Sequence, residues 1–193
     1  MDLILLQPGD TKVFGGAIKG ANGSTGIDNN WRDKVLNLGP CLELVSIHQG
    51  MKQQTTTDVS NLSRTSGRPI ITEFTCVKYV DKTSVKFYEY CLKATPLGKG
   101  PKQPTMLYIG RNSSDNTANI MTFALRDAII TEIQFQSHPD DMPTEQFKLN
   151  FTEILWTYTV QLPDMSSGGN MKAGWSLLRN RPIGDFTDDV KGG

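Results

Sequence analysis

The sequence contains few side chains that combine in the way catalysis usually requires. Its two histidines are His48 and His138, and His138 precedes Pro139, Asp140 and Asp141 in a segment typical of a turn. An imidazole beside a carboxylate could transfer protons or bind a metal. No G-x-S-x-G elbow, HExxH pair or phosphate-binding glycine loop accompanies it. We interpret the segment as a solvated turn and predict that the chain is not an enzyme.

Three acidic side chains interrupt the predicted strands, namely Asp127, Glu132 and Glu153. Two carboxylates on either side of a glycosidic bond are the catalytic arrangement of most glycosidases. Carboxylates are also routine on the solvent face of antiparallel strands, where they have no chemical role. We therefore predict that these residues form no catalytic pair.

Aromatic side chains leave a different function open. Trp31, Trp156, Trp175 and Tyr158 could form a sugar-binding platform, because their rings offer large apolar faces with a polar edge. Trp156 lies on an apolar strand face, which favours a place in the core. A β-sandwich carbohydrate-binding module is the alternative function, and a glycan array would test it.

Composition and charge exclude further classes of protein. The 193 residues suffice for one buried core and are too few for two, so we predict a single domain over residues 1–193. The 20 basic and 20 acidic residues form no basic cluster, which predicts no nucleic-acid partner. The opening "MDLILLQPGD" has an apolar run too short for a signal peptide or a membrane span. We predict synthesis in the cytosol and no membrane insertion.

Three cysteines, Cys41, Cys76 and Cys91, are present without CxxC spacing. An odd number without that spacing argues against a disulfide scaffold or a zinc site. We predict reduced, buried thiols, no bound metal and no cofactor.

Apolar periodicity predicts strands along most of the chain. From Met121 to Phe135 most apolar residues fall on odd positions, which indicates one long half-buried strand or two strands joined at a kink near Arg126 and Asp127. Further strands are predicted at Leu3–Gln7, Ile70–Val80, Thr105–Arg111 and Gly174–Leu178. Long loops rich in Gly, Ser and Thr are predicted at Pro8–Pro40, Gln53–Arg68, Arg111–Asn119 and Asp164–Ala173.

Two segments change the face on which their apolar residues lie. Between residues 146 and 160 the apolar positions change from odd to even near Thr152 and Glu153, and a similar change follows Leu44. A shift of one residue reverses every side chain of a strand, so each change indicates a bulge or a strand that passes from one sheet to another. This pattern fits two packed sheets or a barrel.

One helix is predicted, over about residues 83–95, which begins within "TCVKYVDKTSVKFYEYC", residues 75–91. Oxygens of Asp81, Thr83 and Ser84 can accept the free amides of its first turn, and Pro96 ends it. Because an isolated helix of this length is marginal in water, an apolar stripe should pack against the sheets. That stripe consists of Val85, Tyr88, Leu92 and Thr95, with Cys91 beside it.

The stretch "FTCVKYVDKTSVKFYEYCLKA" resembles the strand-to-helix signature of the Hcp family, the tube proteins of bacterial type VI secretion systems. In that signature a strand ending in K-x-x-D-x-x-S leads into a helix, and Lys78, Asp81 and Ser84 hold those places. Other similar segments follow in the family's order: Ser46–Thr56, then Met142–Gln161 with a W-T-Y word at Trp156 and Tyr158, then Lys172–Asn180 with a W-S-L word at Trp175.

The resemblance implies a mainly β fold, with two antiparallel sheets forming a barrel-like body beside one flanking helix. It also implies a homo-hexameric ring, stacking of rings into a hollow tube, spike and sheath proteins as partners, and small effector proteins carried or chaperoned in the lumen. The protein would be made in the bacterial cytoplasm and exported to the extracellular space or a target cell without a signal peptide.

Two segments depart from the family pattern. Pro8–Pro40 is longer and richer in Gly and Asn, and the chain beyond Arg181 has no counterpart, so we predict a flexible C-terminal tail from about residue 181. We also hypothesise that the predicted loops Gln53–Arg68 and Pro8–Pro40 take part in ring stacking.

Overall fold

The computed structural model describes residues 2–14, 40–58, 63–113, 116–161 and 167–188. Within these ranges the chain is mainly β, with one α-helix, α1 (Ser84–Leu92), and a short 3-10 helix at Thr11–Phe14. The strands are β1 (Asp2–Gln7), β2 (Leu42–Leu44), β3 (Ser46–His48), β4 (Met51–Lys52), β5 (Thr55–Asp58), β6 (Ser63–Ser66), β7 (Ile70–Ile71), β8 (Phe74–Tyr79), β9 (Thr105–Ser113), β10 (Asn116–Arg126), β11 (Ile129–Gln136), β12 (Thr144–Asn150), β13 (Glu153–Gln161), β14 (Ser167–Ser176) and β15 (Arg181–Pro182).

Two antiparallel sheets form the body. Sheet A has the order β15-β14-β13-β10-β9-β1-β2, and sheet B has the order β11-β12-β8-β3. Two small ribbons, β4–β7 and β5–β6, are separate from them. The predicted fold class is confirmed. The sheets formed by the described strands are nevertheless not closed into a barrel, because sheet A ends at β15 and β2 and sheet B at β11 and β3.

Side chains from both sheets meet in a single large core. The ring of Phe74 in sheet B lies edge-on to Phe123 of sheet A, with 5.1 Å between the centroids, and 5.9 Å from the ring of Phe151. Each fully buried phenylalanine contributes about 1.5–3 kcal/mol through the removal of apolar surface from water. The same core includes Phe87 of α1, and the helix packs against sheet B, chiefly against β11.

The described chain passes from one sheet to the other at four places: once through α1, between β8 and β9, and three times by a connection of one or two residues. We call these three short connections the sheet crossings. They lie between β2 and β3, between β10 and β11, and between β12 and β13. Both predicted changes of apolar face therefore mark strands that leave one sheet for the other. The predicted kink near Arg126 and Asp127 is the third crossing, where Asp127 has a positive φ of 50° that allows the sharp turn.

Several polar segments predicted as loops are strands. Gln53–Arg68 contains the ribbon β5–β6, and we call this segment the hairpin arm; its residues 59–62 lie outside the described ranges. The predicted loop Arg111–Asn119 overlaps the hairpin of β9 and β10, and β14 begins inside Asp164–Ala173. These strands contain few apolar residues at alternating positions, so apolar periodicity alone does not predict them. Of Pro8–Pro40, residues 15–39 lie outside the described ranges.

The helix is confirmed, but its buried face is not the predicted one. Val85 and Leu92 of the predicted stripe are 70% and 88% exposed, whereas Ser84 and Phe87 are buried. Tyr90 and Cys91 pack against the core one turn after Phe87. No described helix has the length and apolarity needed to cross a bilayer.

Candidate functional site

The three signature residues meet in a buried polar network at the start of α1. Lys78 is the last buried residue of β8 and lies on the inner side of sheet B, and its side chain is only 1% exposed. Its ammonium group donates hydrogen bonds to Ser84 Oγ at 3.0 Å, Asp81 Oδ1 at 3.1 Å and the carbonyl of Tyr79 at 3.1 Å. The signature spacing therefore brings three polar side chains to one point inside the fold.

A fourth member, Glu145, comes from the neighbouring strand β12, where it pairs in register with Lys78. Its fully buried carboxylate lies 2.7 Å from the ammonium of Lys78 and accepts a hydrogen bond from Ser84 Oγ at 2.8 Å. Tyr88 of α1 donates to the other oxygen at 2.9 Å. Burial and this contact with Glu145 raise the pKa of Tyr88 to about 12.

The network also fixes the residues that lead into the helix, whereas the N-cap residue Thr83 makes no side-chain capping hydrogen bond, contrary to the sequence prediction. Ser84 Oγ accepts the backbone amide of Asp81 at 3.0 Å, and Asp81 Oδ1 accepts the amide of Thr83 at 2.7 Å. The ammonium of Lys78 lies 5.5 Å from the ring centroid of Phe87, within the range of a cation–π contact. With both charges enclosed and every partner supplied by the chain, the arrangement supports a structural role for the signature rather than binding of a substrate.

The histidines are not brought together. His48 lies on β3 and His138 follows β11, and these strands form opposite edges of sheet B. His138 Nε2 is 2.8 Å from Gln136 Nε2, and Asp140 and Asp141 are exposed in the turn before β12. The part of the chain that the structure describes contains no group of three His, Cys, Asp or Glu side chains arranged to hold a metal.

The acidic strand residues are engaged in ion pairs. Glu132 of sheet B lies 2.5 Å from the ammonium of Lys148, and hydrogen bonding to that ammonium lowers the pKa of Glu132. Glu153 of sheet A lies 3.1 Å from Arg126 Nη1, and Asp127 lies 3.3 Å from Nε of the same arginine. Because Glu132 and Glu153 belong to different sheets and neither has the raised pKa of a general acid, they do not have the properties of a glycosidase pair.

Residues 181–188, here called the C-terminal strap, lie along sheet A from its edge at β14 to strands β13 and β10. Strand β15 pairs with β14, and the amide of Ile183 donates to the carbonyl of Gly174 at 3.0 Å. Further along, Thr187 Oγ1 donates to Glu153 Oε1 at 2.6 Å, and Arg126 Nη1 lies 2.9 Å from Thr187 Oγ1. These contacts extend past the residue at which the sequence predicts a flexible tail; the flexibility itself stays a prediction.

Burial alone would raise the pKa of Glu153, because a carboxylate is costly to remove from water. Hydrogen bonds from Thr187 and Arg126 oppose that effect and hold the pKa of Glu153 below its usual value. The carboxylate therefore remains charged within the strap contact and holds the strap to sheet A.

Trp156 and Trp175 line a common groove, here called the tryptophan groove, of about 370 Å³. They lie on adjacent strands β13 and β14, on the face of sheet A that continues into the core. Tyr158 is half exposed two residues along β13, and Trp31 lies outside the described ranges. The other lining residues are Met51, Lys52, Gln53, Pro69 and Ile71.

The three cysteines lie in the described residues, and no disulfide joins them. Cys41 and Cys76 are buried and Cys91 is half-buried. Burial raises the pKa of the Cys76 thiol, which keeps it protonated and unreactive.

The family model described as "Type VI secretion system effector, Hcp" matches residues 41–158, more than half of the chain. The chain belongs to the Hcp family. The matched range of this Hcp chain contains Lys78, Asp81, Ser84 and Glu145 of the buried network. It also contains the sheet crossings after β2 and after β12. A comparison with curated proteins gave no significant match.

Solved structures agree with the family assignment at the level of the fold. One described as a type six secretion system protein has a TM-score of 0.73 and 17% identity, covering 95% of this chain and 100% of its own. Hcp1 from Salmonella typhimurium has a TM-score of 0.63 and 17% identity, covering 94% and 99%. A mutant of Hcp1 from the E. coli EAEC 042 pathovar has a TM-score of 0.59 and 17% identity, covering 91% and 97%.

Proposed function

We propose that this Hcp chain is a structural subunit of the type VI secretion tube, which closes into hexameric rings that stack into a hollow tube and carry small effectors. The observation that carries the proposal is the family match over residues 41–158. The expected partners are identical subunits, the spike and sheath proteins of the apparatus, and effectors in the lumen. The protein would act after export from the bacterial cytoplasm.

The two different edges that the described strands give to sheet B support closure into a ring. A ring built from identical subunits needs two different, complementary surfaces on each subunit. Sheet B ends in β11 on one side and in β3 on the other, so its two edges differ in length and in side chains. Unpaired backbone groups along such edges bind readily to another strand.

The polar groups also favour a structural role. Lys78 and Glu145 are enclosed in the core, and Glu132 and Glu153 are paired with basic side chains. A subunit that acts by assembly and carriage needs none of them for chemistry, and we propose that the protein is not an enzyme and uses no cofactor.

The mass of the particle in solution tests the proposal. A hexamer of the 21.4 kDa chain has a mass of about 128 kDa, and negative-stain images should contain annular particles. Light scattering over a wide range of protein concentration provides the measurement. A chain that remains monomeric at every concentration and forms no annuli would contradict the ring.

The hairpin arm is proposed to act in stacking. It is fastened at its base, where Gly67 N donates to the carbonyl of Gln54 at 2.9 Å and Gln53 Nε2 donates to the carbonyl of Gly67 at 2.6 Å. Replacing residues 55–66 with a two-residue Asn-Gly turn should preserve rings and abolish tubes in electron micrographs. Tubes of unchanged length would reject this role. The matching hypothesis for Pro8–Pro40 is tested by deleting residues 15–39.

A further inference from the structure

An exposed acidic turn lies at one end of sheet B. It comprises residues 138–142 between β11 and β12, and we call it the acidic turn. Asp140 and Asp141 are exposed, and Met142 beside them is 63% exposed. Asp140 has no ion-pair partner within the described ranges. The turn therefore presents an apolar side chain together with two carboxylates, a combination that an apolar groove containing a basic residue would complement.

The tryptophan groove has the complementary composition. Apart from Lys52 and Gln53, its lining is apolar, with two indole rings, and Met51 at its rim is 60% exposed. Lys52 has no ion-pair partner among the residues that the structure describes. A groove of about 370 Å³ is within the usual range of binding cavities, about 300–1,000 Å³, and is large enough to accept whole side chains.

The two surfaces cannot meet within one chain. Thr144, just after the acidic turn, pairs with Tyr79 at the C-terminal end of β8, whereas Ile71 of the groove precedes Phe74 at the other end. The six residues of β8 between these ends span about 20 Å. A contact between acidic turn and groove therefore requires a second copy, joined end to end along the strands of sheet B.

We propose that the acidic turn of one copy inserts into the tryptophan groove of another. Met142 lies against the indole rings, and the carboxylates of Asp140 and Asp141 pair with Lys52. Methionine suits such a groove because its flexible thioether adapts to irregular apolar space and makes favourable sulfur–aromatic contacts. The contact rests on the proposed function, since it needs identical copies assembled in one orientation, and it adds the residues that join them.

Cross-linking between copies tests the contact directly. In a Cys91→Ser background, a Met51→Cys chain is mixed with a Met142→Cys chain under assembly conditions and mildly oxidised. We expect a disulfide-linked dimer on non-reducing gels from the mixture. The matched control replaces Met51→Cys with Leu92→Cys, because Leu92 is 88% exposed on α1 and meets collisional partners more easily.

The outcomes separate this contact from the proposed function. A strictly monomeric chain overturns both. Assembled particles in which the Met51→Cys mixture links no better than the Leu92→Cys mixture overturn the contact alone; this is also the result expected if the groove binds a saccharide or an effector segment instead.

A charge exchange gives a second test. Lys52→Glu should raise the protein concentration needed for half assembly at least about five-fold, the effect of losing one favourable ion pair and gaining a repulsive one. Combining Lys52→Glu with Asp140→Lys should restore assembly toward the wild-type concentration. A combined variant that assembles as poorly as Lys52→Glu alone, with folding verified by circular dichroism, would refute the pairing.

Discussion

The pairing of Lys78 with Glu145 places two opposite charges inside an otherwise apolar core. Removing both groups from water is costly, and their attraction offsets that cost only when the remaining hydrogen-bonding positions are also satisfied. Ser84, Asp81 and Tyr88 satisfy them here. Because Lys78 lies on β8, Glu145 on β12, and Ser84 and Tyr88 on α1, the network defines how three elements fit together.

Removing one charge of this pair should destabilise the protein strongly. We expect Lys78→Met or Glu145→Gln to lower the free energy of unfolding by about 3–5 kcal/mol, because the remaining group stays buried without its partner. The double variant Lys78→Met/Glu145→Leu should lose much less. Urea unfolding under conditions of equal assembly provides the measurement, and a double variant as unstable as the sum of the single variants would contradict this account.

An exposed pair serves as the control for that experiment. Glu132 and Lys148 are each about one-third exposed, so solvent screens their attraction. Glu132→Gln should shift the urea midpoint much less than either single change at the buried pair.

The lowered pKa of Glu153 predicts an acid-sensitive contribution to stability. A carboxyl group with a lower pKa in the folded chain stabilises the fold above its unfolded pKa, about 4.3, and this stabilisation is lost as the pH falls through the folded pKa. We expect Glu153→Gln to be less stable than wild type at neutral pH, and the difference to shrink at acidic pH. Melting temperatures measured between about pH 7 and pH 3 test this, and two parallel curves would disprove it.

The residues of the network differ in how far the sequence reveals them. Lys78, Asp81 and Ser84 are recognisable in the sequence because they stand at the fixed local spacing of the K-x-x-D-x-x-S signature. Glu145 is 61 residues from Ser84 in the chain, and its only signal is a charge at an inward position before Phe147 and Leu149. Its partner depends on the register between β8 and β12, which a single sequence does not contain.

At the scale of elements, the sequence predicts the position of the helix correctly but predicts the wrong buried face. Capping oxygens and Pro96 predict where it begins and ends, but two apolar stripes compete on its surface. Ser84 is held in the buried network, and this anchor turns Phe87 inward and leaves Val85 and Leu92 outside. Periodicity alone cannot choose between the stripes, because the choice depends on a tertiary contact.

Substitutions on the two faces should therefore differ sharply in effect. Phe87→Ala should lower the free energy of unfolding by about 3–5 kcal/mol, because it empties a fully buried site that packs on Phe147 at 5.1 Å. Leu92→Ala should change it by less than about 0.5 kcal/mol. Chemical denaturation of both variants is the measurement, and a larger loss for Leu92→Ala would restore the originally predicted face.

The strands predicted from the sequence agree best with the structure where the strands line the core. The changes of apolar face near Leu44 and Thr152 correctly predicted two sheet crossings, because a reversal of side-chain direction leaves a record in the order of residues. The hairpin arm left no such record. Its Thr- and Ser-rich strands pair with each other in a ribbon separate from both sheets, and their sequence has no alternation of apolar residues.

At the scale of the whole molecule, the C-terminal strap connects the end of the chain to the centre of sheet A. Ending the chain after Asn180 would remove β15 and leave Glu153 and Arg126 without Thr187. We expect this truncation to lower the melting temperature by about 4 °C or more, from the loss of one or two kcal/mol of hydrogen bonding to charged groups. Ending it after Asp188 keeps these contacts and should have no measurable effect. Differential scanning calorimetry compares the two truncations, and equal melting temperatures would show that the strap contributes no stability.

The three sheet crossings have a consequence for how the protein withstands force. At each crossing, a strand of one sheet continues directly into a strand of the other. The two sheets are therefore connected by short covalent segments at three positions. Separating sheet A from sheet B must therefore pull on strands that are still hydrogen-bonded in the other sheet. Unfolding under force should accordingly be all-or-none, without a half-opened form in which one sheet survives alone.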